Sequence, residues 1–201
     1  MAQALPSPSP STYDSETPAQ RARRARIIQA TLALASRGGY EAVQMREVAE
    51  RSEVALGTLY RYFPSKIHLL VSAMSFELER MRNRMQRKAI PGDTRFERVS
   101  YVLERTTRSL QRDPNLTEAL VRAMMVADAS VAAEVTGVRD QMTDLIMQGM
   151  RDDDAPHDDD AALANVLQDV WFARQIAWLG GRTDSDSVWD EIEQAIGLVL
   201  R

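Results

Sequence analysis

The run QMREVAERSEVALGTLYRYFPSK, residues 44–66, constrains this chain more than any other stretch. Met45, Val48 and Ala49 recur at helical spacing and predict a short helix. Ser52-Glu53-Val54 then interrupts the spacing over a length that fits the tight turn of a helix-turn-helix. A second short helix is predicted from about Ala55 to Phe63, closed by Pro64, which cannot continue it. At about 100° per residue, Leu56, Leu59, Tyr60 and Phe63 share one arc and are expected to pack. Gly57, Thr58, Arg61 and Tyr62 share the opposite arc. That outer face suits a duplex: Gly admits the backbone closely, Thr reaches a thymine methyl or a phosphate, and Arg grips guanine or phosphate. A catalytic surface would need a nucleophile, a base or a metal cluster, and the stretch has none.

The motif needs a scaffold, and the residues before it supply one. A helix is predicted from about Pro18 to Ser36, with Ile27, Ala30, Thr31 and Leu34 on its buried side and Gly38-Gly39 as its stop. With Tyr40 and Val43 leading on, the result is a three-helix head. Ahead of it, residues 1–19 are rich in Pro, Ser, Thr and Gln and are expected to form a disordered arm. They do not resemble a signal peptide. Arg21, Arg23, Arg24 and Arg26 follow, and in front of a helix-turn-helix such a basic arm is expected to reach phosphates or the minor groove.

Charge agrees once it is divided along the chain. The formal net charge is −4. Residues 21–66 hold nine Lys/Arg against four Asp/Glu, residues 80–112 ten against three, and residues 113–201 six against eighteen. A basic front and an acidic rear suit nucleic-acid binding from one end only. The absence of cysteine excludes disulfides and thiolate metal sites and fits a cytoplasmic location, and no run of about 18 apolar residues is present to cross a membrane. His68 is a lone histidine without a second ligand at metal spacing. Residues 152–160 collect six Asp and a His but lack the Gly and terminal Glu of an EF-hand loop, so an acidic, helix-capping loop is the simpler reading, and no metal is assigned.

The two short helices, the YRYFPSK ending and the closing Lys resemble the DNA-binding domain of TetR-family regulators. The family pattern places a Ser or Thr cap where Ala55 stands and a Thr where Gln44 stands, so both short helices are expected to lean on tertiary packing; such a cap is worth about 1 kcal/mol. The resemblance implies DNA contacts from Arg23, Arg24, Gln44, Arg46, Gly57, Thr58, Tyr60, Arg61, Tyr62 and Lys66. Ser65 is expected to cap the following helix and offer its N–H groups to a phosphate. The domains implied are the arm 1–19, the DNA-binding head 20–66 and a ligand-binding and dimerisation domain 67–201, in an all-α fold of about nine helices.

The rear agrees with this in its own right. A long helix is predicted from Lys66 to about Lys88 and further helices begin after Pro91-Gly92-Asp93, after Asp113-Pro114-Asn115, and from about Val131 to Met150 with an interruption at Gly137. The last two are predicted at about 161–179 and 187–200. Val166, Val170, Ala173 and Ala177 form one apolar stripe, and Trp189, Ile192, Ile196 and Val199 another. With Trp171, Phe172 and Trp178 beyond them, that surplus points to a partner, and the resemblance implies a homodimer through these helices. Met74, Met81, Met85, Met124, Met125, Met142, Met147 and Met150 form either core or an adaptable cavity lining.

The resemblance implies an effector site among Met74, Leu78, Leu103, Met124, Met142, Ile146, Trp171, Phe172 and Gln175. Within the family the chain is similar to regulators of sterol catabolism, which implies a sterol-derived acyl-CoA thioester as effector and no other cofactor. The arginines from Arg80 to Arg112, with Arg95, Arg98 and Arg105 as candidates, either dock the nucleotide phosphates or form a solvated basic face. The expected activity is that of a non-enzymatic repressor that binds a palindromic operator and is released by its ligand. A regulator of efflux or fatty-acid metabolism, and a non-specific architectural DNA binder, are the other readings.

Overall fold

The computed structural model describes residues 17–87, 89–151 and 157–200. Among them lie nine α-helices, a 3-10 turn and no strand. The leader 1–16, Lys88 and most of the acidic run at 152–156 lie outside the described residues. The head contains α1 (Pro18–Ala42), α2 (Met45–Arg51) and α3 (Leu56–Tyr62). The rear contains α4 (Lys66–Met85), α5 (Arg95–Gln111), α6 (Pro114–Met125), α7 (Ala132–Met150), α8 (Asp160–Leu179) and α9 (Ser185–Val199), with the 3-10 turn Ala129–Val131 before α7.

The first helix starts earlier than a disordered arm to residue 19 allows. The Thr17 hydroxyl accepts from Gln20 N at 3.3 Å and the Gln20 side chain accepts from Thr17 N at 2.7 Å, a capping box, while Pro18 fills the first helical position. Arg21, Arg23, Arg24 and Arg26 therefore stand on a regular helix rather than on a flexible arm. Ile27, Ala30, Thr31 and Leu34 are buried as expected. Gly38 and Gly39 leave helical geometry, Gly39 at φ 66°, so the rod ends there and a short turn carries the chain to Val43.

Neither α2 nor α3 has a side-chain cap, since Gln44 and Ala55 make no capping bond. These seven-residue helices are far too short to stand alone. Burial of Val43, Val48, Ala49, Leu59 and Phe63 holds them, and the Ser52 hydroxyl donates to Val48 O at 2.6 Å across the turn. Farther on, Ser65 caps α4 by accepting from His68 N, and α4 ends at Met85, short of the expected Lys88.

In the rear, Thr94 and Glu97 form a capping box on α5 and Asp113 caps α6. Gly137 does not interrupt α7. A glycine inside a helix costs about 1 kcal/mol, and the buried face of Val138, Met142, Leu145 and Ile146 outweighs it. The crossing of α5 and α7 is close: a Cβ on Gly149 would lie 3.0 Å from Val99 Cα and 3.1 Å from Arg98 O, and Arg98 Nε donates to Gly149 O at 3.2 Å.

Helix α8 does not bury its apolar stripe. Its buried face is Ala164, Leu167, Gln168, Trp171 and Gln175, while Val166 and Ala173 are exposed and Val170 and Ala177 half-buried. The smooth apolar stripe is thus the outer one, because Gln168 and Trp171 find hydrogen-bond partners inside, from Thr143 Oγ1 and to Thr107 Oγ1. On α9, Ile192 and Ile196 are buried as expected, joined by Val188, whereas Trp189 and Val199 are half-buried.

An ion pair between Arg95 and Asp160 ties the start of α5 to the start of α8, and Asp160 also accepts from His157 N at 3.1 Å. Burial pushes the Asp160 carboxyl up, but these hydrogen bonds and the Arg95 charge outweigh it and hold the carboxyl below its ordinary range. The stabilisation is therefore complete above the ordinary Asp value and is lost as pH falls through the lowered one. Asp160→Asn is expected to lower unfolding free energy by about 2 kcal/mol at pH 7, and the deficit relative to wild type should shrink below pH 4 in urea melts.

Candidate nucleic-acid interface

Helix α3 presents one face outward. Gly57, Tyr60 and Arg61 are exposed, Tyr60 by 46%, and Thr58 and Tyr62 are half-buried. Gln44 and Arg46 stand exposed at the start of α2. The two tyrosines exchange their expected places. The buried arc is centred on Leu59 and Phe63, which leaves both at its edges in a 100° count; docking turns Tyr62 inward, its ring centroid 6.4 Å from that of Phe63. Tyr60, expected to pack, stands outward instead.

Gly57 has open space around it: a Cβ there would meet nothing within 4 Å. The fold does not require this glycine, so any need for it comes from outside the chain, as a duplex pressed against the helix backbone would impose.

Arg24 is engaged within the fold. It is half-buried, its guanidinium carbon 4.8 Å from the Phe63 ring centroid and Nη2 within 3.5 Å of the Ser72 hydroxyl, so it fastens α1 to α3 and α4. Arg23 is half-buried beside it in a cleft of about 810 Å³ that Arg61, Tyr62 and His68 also line. Lys66 too is turned inward, with Nζ 3.8 Å from the centroid of the Tyr40 ring. Burial is the largest influence on its ammonium and, with Arg122 nearby, lowers its pKa against the opposing pull of Glu41 and Glu118.

That last contact opens onto a cluster the sequence did not reveal. Glu118 on α6 accepts from Tyr40 N at 2.7 Å, and Arg122 pairs with Glu41 at 2.9 Å. The Arg122 guanidinium carbon lies 4.5 Å from the Tyr40 ring centroid, so this one ring meets two cations. Gly39 makes the approach possible, because a Cβ there would lie 2.5 Å from Glu118 Oε2. The i,i+4 pair Glu118–Arg122 is visible in the sequence, but its partners on α1 are 78 and 81 residues away. Packing of α1 on α6 is the most extensive helix–helix contact among the described residues. The head is thereby fixed to the rear through α6 as well as through α4.

The expected effector residues all lie in the rear, and Met74, Leu78, Leu103, Met142, Ile146, Trp171 and Gln175 are buried, with Met124 and Phe172 half-buried. None lines the cleft beside Arg61 or the groove of about 920 Å³ between α1, α4 and α7. Of the arginine candidates, Arg95 is engaged by Asp160 and Arg98 by Gly149 O, Gly92 O and Asp93 O. Arg105 is exposed beside the Tyr101 ring.

With a helix-turn-helix head, an outward α3 and an all-helical rear, the chain belongs to the TetR family of bacterial transcriptional regulators. Residues 27–73 match the profile "Bacterial regulatory proteins, tetR family" and residues 92–199 match "Tetracyclin repressor-like, C-terminal domain". It is 52% identical to the HTH-type transcriptional repressor KstR of Rhodococcus jostii (strain RHA1) over 187 residues, 93% of this chain and 87% of that protein. A crystal structure of a TetR transcriptional regulator from Rhodococcus sp. RHA1 superposes with a TM-score of 0.83 at 32% identity, covering 90% of this chain and 97% of that one. Thermus thermophilus FadR, a TetR-family transcriptional repressor solved in complex with lauroyl-CoA, shares the fold at a TM-score of 0.67 and 21% identity over 88% of this chain and 93% of that one. No helix among the described residues is long and apolar enough to cross a membrane.

Gly57→Ala separates fold from recognition. Thermal stability should stay the same or rise by up to about 0.5 kcal/mol. Affinity for specific DNA, measured by fluorescence anisotropy, should fall at least tenfold if a duplex presses on the helix backbone at this open position.

Proposed function

We propose that this chain is a homodimeric repressor that grips a palindromic operator and is released by an acyl-CoA thioester, with a sterol-derived acyl group as the effector's apolar end. The carrying observation is the outward face of α3, with Thr58, Tyr60 and Arg61 around an unobstructed Gly57, on a head fixed to a ligand-domain rear. Thr58, Tyr60 and Arg61 act on base edges and phosphates, and Gln44 and Arg46 on the flanking backbone. The partly buried Tyr62 and Lys66 contribute from the rim, Lys66 once it leaves the Tyr40 ring. The similarity to KstR supports repression and the sterol effector. The fold shared with a lauroyl-CoA complex supports the thioester class and favours one second reading, a fatty acyl-CoA effector.

The dimer reading rests on α8 and α9. On α8, Val166 is 51% exposed and Ala173 is exposed beside the half-buried Val170 and Ala177, and on α9 Leu198 is 61% exposed. A second copy covers these residues best, because one seven-residue recognition helix reads few bases, and two about 34–36 Å apart read successive major grooves. The effector, seated among the Met-rich rear helices, shifts α6 and α4 and with them the head. A coupling of about 1–3 kcal/mol suffices for release.

Binding of the purified protein to DNA from upstream of its own gene, at physiological salt and with and without a steroid acyl-CoA, tests this. Tight binding that the thioester weakens at least fivefold is expected. Affinity no greater than for random DNA of equal length would count against it. Val166→Asp should move the protein from dimer to monomer in analytical ultracentrifugation and lower operator affinity at least tenfold; a persistent dimer would remove this face from the interface.

A further inference from the structure

The groove of about 920 Å³ between α1, α4 and α7 lies where head and rear meet. Helices α1 and α7 each pack on α4 but make no extensive contact with each other. Ile28, Val71 and Phe76 give the groove an apolar lining. None of the rear residues expected to hold an effector takes part in it.

Three features of its walls have no account within the chain. Gly137 lines the groove from inside α7, and a glycine weakens a helix, yet a Cβ there would meet nothing within 4 Å. Packing gives no reason for it. Arg82 Nε on α4 and Gln141 Oε1 on α7, one turn past Gly137, are shut off from solvent with no hydrogen-bond partner among the described residues. A donor and an acceptor stranded in this way destabilise the chain that holds them. The third feature is charge. Arg21 on α1 and Arg82 on α4 share the groove with Glu134 and Asp140 on α7, and no ion pair joins the two sets among the described residues. Opposite charges held apart across an apolar groove complement an occupant that is negative at one end and positive at the other.

We propose that this groove is a ligand site for an apolar zwitterion, either a free apolar α-amino acid or a short apolar peptide. The ligand's carboxylate pairs with the Arg82 guanidinium, and its ammonium donates to Gln141 Oε1 with the Asp140 carboxylate nearby. Its apolar body lies along the bare helix face at Gly137, against Val71 and Phe76. Each stranded atom thereby gains the group it lacks, and the glycine gains a reason. Because the walls belong to the head through α1 and to the rear through α4 and α7, the ligand bridges the two. The site is separate from whatever the rear helices enclose.

The test is isothermal titration of full-length wild type, Gly137→Leu and Gln141→Leu with L-phenylalanine and the dipeptide leucyl-phenylalanine. Two controls lack one charge each: 3-phenylpropionate has no ammonium and 2-phenylethylamine no carboxylate. Wild type is expected to bind at least one zwitterion and to bind both controls about tenfold more weakly, since each leaves a buried group unpaired. Both variants should weaken the zwitterion by about tenfold or more. Their melting temperatures are expected at or above wild type, because Leu is the better helix former at 137 and removes the stranded acceptor at 141. Tighter binding of the dipeptide assigns a peptide as the occupant; tighter binding of phenylalanine assigns a free amino acid. Failure of wild type to bind either zwitterion at millimolar concentration overturns the proposal, as does binding that neither variant weakens. Operator release by a steroid acyl-CoA should be the same in Gly137→Leu as in wild type. Loss of release in that variant would give the groove to the thioester and overturn a separate site.

Discussion

The contact between Glu118 and the backbone N–H of Tyr40 is the constraint on which the rest of this molecule's logic depends. It lies just past the kink that Gly38 and Gly39 put into α1, and only a residue without a side chain at 39 lets a carboxylate come so near. The Tyr40 ring, held in this way, receives Lys66 from the first turn of α4 and Arg122 from α6. One ring thus joins three helices. Hydrogen bonds to charged groups and cation–π contacts are each worth only about 1–3 kcal/mol, but here they sit on top of the apolar packing of α1 against α6. The head cannot rotate without changing that packing, and a change in α6 is passed to the head.

The same cluster explains why Lys66 is not a free phosphate hook. Its ammonium is partly buried over an aromatic face at the head–rear junction. Arg24 follows the same pattern, taken up by Phe63 and Ser72. The outward residues of α3 and the start of α2 stay exposed, while the basic residues behind them are engaged within the fold. In the rear, α8 buries Gln168 and Gln175 beside Ala164, Leu167 and Trp171 and leaves Val166 and Ala173 exposed.

Much of this was legible in the sequence. The helix-turn-helix, the glycine stop of α1, the Ser65 cap and the break at Asp113-Pro114 rest on local rules and were found where expected. Local rules failed where tertiary contacts decide. Gly137 resembled a break because propensity ignores the buried face of α7. Tyr60 and Tyr62 could not be separated by a 100° count, since both flank the buried arc. Which way the α8 stripe faces could not be read, because Gln168 and Trp171 find partners on α7 and α5 that no pattern on α8 records. The Tyr40 cluster was missed for the same reason: Glu118 and Arg122 look like an ordinary surface pair until α1 is laid against them.

On the function proposed above, the effector site reaches the recognition helix through α6 and its hold on Tyr40. The most direct measurement is operator affinity with and without a saturating steroid acyl-CoA, compared between wild type and Glu118→Ala on the same DNA. Wild type should show release of about 5- to 150-fold. The variant should bind operator and thioester separately within about threefold of wild type, while release falls toward one. Full release retained in Glu118→Ala would contradict coupling through α6 and place it in α4 alone.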